Sequence, residues 1–189
     1  MEARIFASGK FSCCFCQEAV LQTRDMSNRC ILLALLLCTV SAGAAELFPT
    51  NSTWRFLRGT NEASAPDNTL WRTNDFSDAE FANAPAPFWY GDVRTGGTQL
   101  ADMLNNYSCL FLRREFVVTN IAQFCALQAT YFIDDGIVVW INGIEVLRVN
   151  VDPGALSYQT LALNQPVDPA VFVSSASAGS PASSAKGRI

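Results

Sequence analysis

From residue 46 onward, apolar and polar residues alternate in short runs broken by turn clusters, and no stretch holds the 3.6-residue repeat of an amphipathic helix. The pattern predicts an all-β chain. Over 110–118 (LFLRREFVV), Leu110, Leu112, Phe116 and Val118 share one face, which Arg114 interrupts. Over 126–133, Leu127, Ala129, Tyr131 and Ile133 do the same. A turn at 119–123 would make these two runs antiparallel neighbours. The clearest local signal is 137–149, where IVVWI and IEVLRV flank Asn142-Gly143. Asn-Gly between β-branched runs predicts a type I′ hairpin, because both turn residues need positive φ. Its two-residue turn sets Ile141 opposite Ile144, Trp140 opposite Glu145, Val139 opposite Val146, Val138 opposite Leu147 and Ile137 opposite Arg148. Both faces of that hairpin are mostly apolar, so either both are covered within the domain or one side meets another domain.

The flanks read differently. Residues 30–40 (CILLALLLCTV) have the length and polarity of a signal-peptide core, follow Arg29 and precede Ala42-Gly43-Ala44, a small-residue cleavage pattern. The run is shorter than the ~20 apolar residues a membrane helix needs. The expected organisation is an upstream extension at 1–25 outside the fold, a helical signal peptide at 26–45, a β-sandwich at 46–164 and a low-complexity, disordered tail at 165–189. The last follows from the Ala/Ser/Gly/Pro-rich run 174–184 (SSASAGSPASS). Export would place the mature chain outside the cell, secreted, periplasmic or on the surface, with no stable membrane span.

Composition narrows the chemistry. The 189 residues contain no histidine, which excludes Ser-His-Asp and Cys-His machinery and His-ligated metals. The two lysines, Lys10 and Lys186, lie in the flanks, so no Schiff-base or phosphate-cradling lysine is expected in the domain. A net charge of −4 with scattered basic residues argues against a nucleic-acid partner. Five of the seven cysteines precede the cleavage pattern, leaving Cys109 and Cys125. If 109–118 and 125–133 were neighbours, these two would sit too far apart to bridge, giving two buried free thiols.

In order along the chain, Ser52-Thr53-Trp54-Arg55-Phe56, Thr69-Leu70-Trp71-Arg72, Asp75-Phe76, the Pro-rich 84–92 (APAPFWYGD), Leu112-Arg113-Arg114-Glu115-Phe116 and above all 134–146 (DDGIVVWINGIEV) resemble a galactose-binding-like module. Such modules occur in large secreted bacterial proteins beside metallophosphatase or lamin-tail domains. The resemblance spans 46–163 and implies an antiparallel jelly-roll β-sandwich that binds carbohydrate or a neighbouring protein domain without catalysis. Its alternative implication is an N-terminal accessory module of a secreted hydrolase such as a metallophosphatase. At the C-terminus the chain departs from the pattern, entering the Ala/Ser-rich tail where closing strands are expected, as a truncated module would.

Candidate sites follow from residue type and place. Trp54, Trp71 and Trp140 lie in strand-like pattern and read as core. Trp89 and Tyr90 lie at a loop edge beside Pro87 and Gly91 and are the expected exposed aromatics for ligand contact. Asp134 and Asp135 are adjacent, so in a strand they diverge and read as turn residues rather than an acid/base pair. Asp75, Asp78 and Asp92 are loop carboxylates suited to calcium, and the resemblance adds a structural calcium as a candidate cofactor. Of Arg113 and Arg114, on opposite faces of one strand, one is expected in solvent. The other either pairs with Glu115 or Glu145 or, as Arg114, reaches a polar ligand.

Overall fold

The hairpin forms where the Asn-Gly signal places it, but with a shifted ladder. In the computed structural model, which describes residues 8–15, 45–91, 95–117, 124–133, 135–163, 170–177 and 186–188, β10 (Ile137–Ile141) and β11 (Ile144–Val149) are antiparallel. Asn142 and Gly143 have φ of 53° and 82°, as a type I′ turn requires. Ile141 pairs with Ile144 and Trp140 with Glu145, as expected. Beyond them a bulge leaves Val146 unpaired, and Leu147, Arg148 and Val149 oppose Val139, Val138 and Ile137. The extra residue has a chemical consequence. Residues three apart on a regular strand face opposite ways, but here Glu145 and Arg148 share the face of Trp140 and Val138. They form a two-pronged ion pair, with Arg148 Nε donating to Glu145 Oε1 at 2.7 Å and Nη2 to Oε2 at 2.6 Å.

A three-stranded antiparallel sheet, ordered β4 (Ala82–Pro85), β3 (Thr53–Arg58), β7 (Leu110–Arg113), separates two apolar clusters. Alternation along β3 and β7 decides which residues enter which. Trp54, Phe56, Leu110 and Leu112 face the larger cluster, with Phe48, Phe88, Leu100, Met103 and Val139. Leu57 and Phe111 face a smaller, aromatic one with Trp71, Phe81, Trp140 and Tyr158. The hairpin is covered only in part: Ile137, Val139 and Leu147 meet the larger cluster and Trp140 the smaller, whereas Ile144 and Val146 are exposed.

The predicted strand over 110–118 breaks at Arg114, after which β8 (Glu115–Val117) continues and Phe116 returns to the larger cluster. The pairing expected across 119–123, which lies outside the described residues, is not the observed one. β7 pairs with β3, and β8 with β13 (Lys186–Arg188). β9 (Phe124–Ile133) pairs with β1 (Ser8–Phe15) and β12 (Ala170–Ser177). The geometric argument about Cys109 and Cys125 therefore loses its premise, although Cys109 is a free thiol.

The four-stranded sheet β12-β9-β1-β2, with β2 at Ala45–Phe48, corrects the expected boundaries. Ser8–Phe15 lies inside it, between β9 and β2, although residues 1–25 were expected outside the fold. Phe11, Cys13 and Phe15 recur at period two, a strand signal that the cysteine cluster obscured. Ala170–Ser177 pairs along its full length with β9, although 165–189 was expected to be a disordered tail. Val171, Phe172 and Val173 are strong strand formers that outweigh the serines after them. The expected signal helix at 30–40 lies outside the described residues.

The described chain is thus nearly all strand. Its sheets are antiparallel except for the two-residue parallel pair β5 (Phe88–Trp89) and β6 (Thr98–Gln99). That pair needs close approach: Thr98 N donates to Pro87 O at 2.8 Å, and a Cβ on Gly97, whose φ is +71°, would lie 2.2 Å from the same oxygen. Among the described residues no helix is long and apolar enough to cross a membrane.

Candidate functional site

Arg55 and Arg113 are directly opposed on β3 and β7 and face the smaller cluster. Two like charges in that position repel, and Asp78 resolves the conflict. Its Oδ1 accepts from Arg55 Nη2 at 3.0 Å and Nε at 3.2 Å, and its Oδ2 receives Arg113 Nε at 3.4 Å. Arg113, 1 % exposed, also donates to Thr73 O at 3.0 Å and lies 5.1 Å from the Phe76 ring centre. Arg55 Nη1 donates to Phe81 O. Arg113 is therefore the buried arginine of the adjacent pair, and Asp78 is a counter-ion to it.

This geometry bears on the expected calcium ligands Asp75, Asp78 and Asp92. Both oxygens of Asp78 are engaged by guanidinium groups, Asp75 is exposed, and Asp92 lies outside the described residues. No three acidic or cysteine side chains among the described residues converge on a cation position. Of the turn carboxylates, Asp134 lies outside the described residues, and the backbone oxygen of Asp135 accepts from Asn150 Nδ2.

The expected exposed aromatics are also displaced. Trp89 is only 9 % exposed, and its indole N–H donates to Gly96 O at 3.1 Å. The 88–89 strand turns inward because its partner β6 folds back over it, so Trp89 fills the interior instead of lining a ligand surface. Tyr90 is half-buried and packs against the larger cluster. Arg114 is half-buried, with its guanidinium 5.1 Å from the Phe48 ring centre and Nη1 donating to Thr53 O. Its Nε is enclosed without an acceptor, and burial lowers its pKa. Trp89, Tyr90 and Arg114, the three expected ligand contacts, thus all make packing contacts with the interior.

What the structure assembles instead is a surface that the sequence reading did not single out. Leu70–Arg72 forms one 3-10 turn, which buries Trp71 and turns Arg72 outward. The Arg72 guanidinium stacks 4.3 Å from the ring centre of Trp140 and 5.8 Å from that of Trp71, and the two indoles meet edge to face at 5.6 Å. Glu145, cross-strand partner of Trp140, and Arg148 complete the face. Burial lowers the Arg72 pKa, and Glu145 is the main opposing charge. The Trp71-Arg72 dipeptide was the only sequence signal, and nothing local to it indicates a second tryptophan 69 residues on.

Other polar groups are structural. Asp102 accepts from Arg58 Nε at 2.6 Å and from the Tyr107 hydroxyl at 3.0 Å. Burial and this bond push Tyr107 up to about 12, above its usual 10.0. A raised phenol pKa stabilises the fold below pH 10 and loses that contribution as pH rises toward 12. Absorbance titration should therefore show late tyrosine ionisation from Tyr107 and from Tyr131, which burial also raises, with urea stability falling over the Tyr107 interval. Burial drives the Cys109 thiol to about 12 as well, which makes it a poor nucleophile. No family model, curated protein or solved structure matches this chain.

Proposed function

We propose that this chain is an exported, non-catalytic binding module, a galactose-binding-like jelly-roll sandwich that holds carbohydrate or a neighbouring protein domain by surface contact. The observation that carries this reading is the fate of its carboxylates. Asp78 is bound to Arg55 and Arg113, Asp102 to Arg58 and Tyr107, and Glu145 to Arg148. Acid–base hydrolysis of a glycoside needs one protonated and one ionised carboxyl facing each other across a cleft. These carboxylates each face a guanidinium instead. The absence of histidine from the sequence and the high pKa of Cys109 point the same way. The export component rests on the apolar run at 30–40 and the small residues after it.

A glycan array probed with the full chain, with and without calcium, tests the reading. Binding to at least one glycan class is expected, and a chelator should leave it unchanged because Asp78 is already committed to arginine. A folded chain that binds no glycan removes the carbohydrate half. Turnover of a chromogenic glycoside removes the non-catalytic half.

A further inference from the structure

Among the described arginine side chains, Arg55, Arg58, Arg113, Arg114 and Arg148 each donate to an oxygen. Arg72 donates to none. Its Nε is enclosed without an acceptor, whereas Nη1 and Nη2, equally unpartnered, reach solvent. A half-buried guanidinium with no acceptor is unusual, because desolvating donors without replacing their water bonds is costly. Here the Trp140 ring lies 4.3 Å from the guanidinium, and the Arg72 backbone lies against the Asn142-Gly143 turn, with an ideal Cβ on Gly143 falling 3.9 Å from Arg72 O. A guanidinium is planar, so its Nη1/Nη2 edge carries two coplanar N–H donors. That edge matches a carboxylate.

The neighbours refine the ligand. Glu145 would repel an anion if its charge were free, but Arg148 binds it through both oxygens. The three groups together carry one net positive charge. Each Glu145 oxygen takes one bond from Arg148 and keeps a lone pair for another donor. Nearby acids are likewise engaged: Glu62 Oε1 accepts from Tyr158 N, and Asp67 Oδ1 from Thr69 N and Oγ1. The face therefore offers a bidentate donor edge beside an acceptor. A sugar acid carries its carboxylate and its hydroxyl donors on one rigid ring, whereas an acidic peptide offers its carboxylates on flexible side chains apart from its backbone N–H donors. We propose that Arg72, seated on Trp140 and flanked by the Glu145–Arg148 pair, binds the carboxylate of a uronic-acid residue in an acidic glycan. This inference rests on the carbohydrate-binding reading and names its substrate class.

The test titrates the full chain with the trimer of galacturonic acid, its neutral galactose counterpart and poly-glutamate, following tryptophan fluorescence and calorimetry. Wild type should prefer the acidic trimer by roughly tenfold or more, as expected for a charge-assisted bidentate pair. Arg72→Met should abolish the preference, and Arg72→Lys should recover little of it because an ammonium lacks the planar fork. Raising the salt should weaken the acidic trimer selectively. Circular dichroism and thermal melts check that both variants fold. Equal binding of acidic and neutral trimers by wild type, or unchanged binding by Arg72→Met, overturns the Arg72 assignment while leaving carbohydrate binding intact. Arg72-dependent capture of poly-glutamate without either sugar also overturns it, in favour of a peptide ligand. Binding of none of the three probes by folded protein overturns the Arg72 assignment, while the glycan array decides the carbohydrate reading separately.

Discussion

Asp78→Ala is expected to lose about 3–5 kcal/mol of folding stability, the usual consequence of removing one partner from a buried ion pair. The magnitude comes from what stays behind. Arg55 has a side chain 34 % exposed and can turn toward water, whereas that of Arg113 is 2 % exposed and cannot. Deleting the carboxylate leaves two opposed guanidinium groups on adjacent strands, one still sealed beneath Phe76 and the 73–81 loop. A typical domain has about 5–15 kcal/mol in total, so the variant sits near the threshold of folding. Urea denaturation measures the loss. Asp78→Asn should fall between, since one amide oxygen can still accept. The double variant Asp78→Ala/Arg113→Met should recover much of the loss, because it removes the stranded charge and keeps an apolar stem in place. A loss below 1 kcal/mol for Asp78→Ala would show that the triad is not what joins β3, β7 and the 73–81 loop.

Phe88→Ala should be comparably severe, at about 3–5 kcal/mol. Phe88 has no exposed surface, and its ring lies 5.2 Å from that of Phe56. It also sits where the chain cannot relax. The close approach that Gly97 permits at Pro87, and the Thr98 N to Pro87 O bond at 2.8 Å, hold β5 against β6, so the backbone cannot close over a cavity. Phe88→Leu should lose much less by retaining most of the volume. A midpoint shift in urea without a change in slope would confirm a pure stability effect. A value for Phe88→Ala near that of an exposed position would mean that the larger cluster is loosely packed around this ring.

The sequence by itself determined what depends on neighbours in the chain. Asn142-Gly143 between β-branched runs sets a type I′ turn through local backbone sterics. Period-two alternation assigned Leu110, Leu112 and Phe116 to one cluster, and the interior placement of Trp54 followed from its strand-like surroundings, whereas Trp71 is buried from a 3-10 turn. The lack of histidine excluded whole reaction classes without any coordinates. Tertiary structure alone decided the rest. Asp78 reads as a loop carboxylate until folding brings Arg55 and Arg113, 23 and 35 residues away, onto its two oxygens. Trp89 reads as a loop-edge aromatic until β6 folds over it. The Val146 bulge reverses the sides of Leu147, Arg148 and Val149, which creates the Glu145–Arg148 pair. Strands β1 and β12 find their places only because β9 offers each a ladder from far along the chain. Hydrophobic period and turn sterics are encoded within a few residues, whereas charge pairing, edge coverage and ring stacking depend on distances that do not exist until the chain has closed.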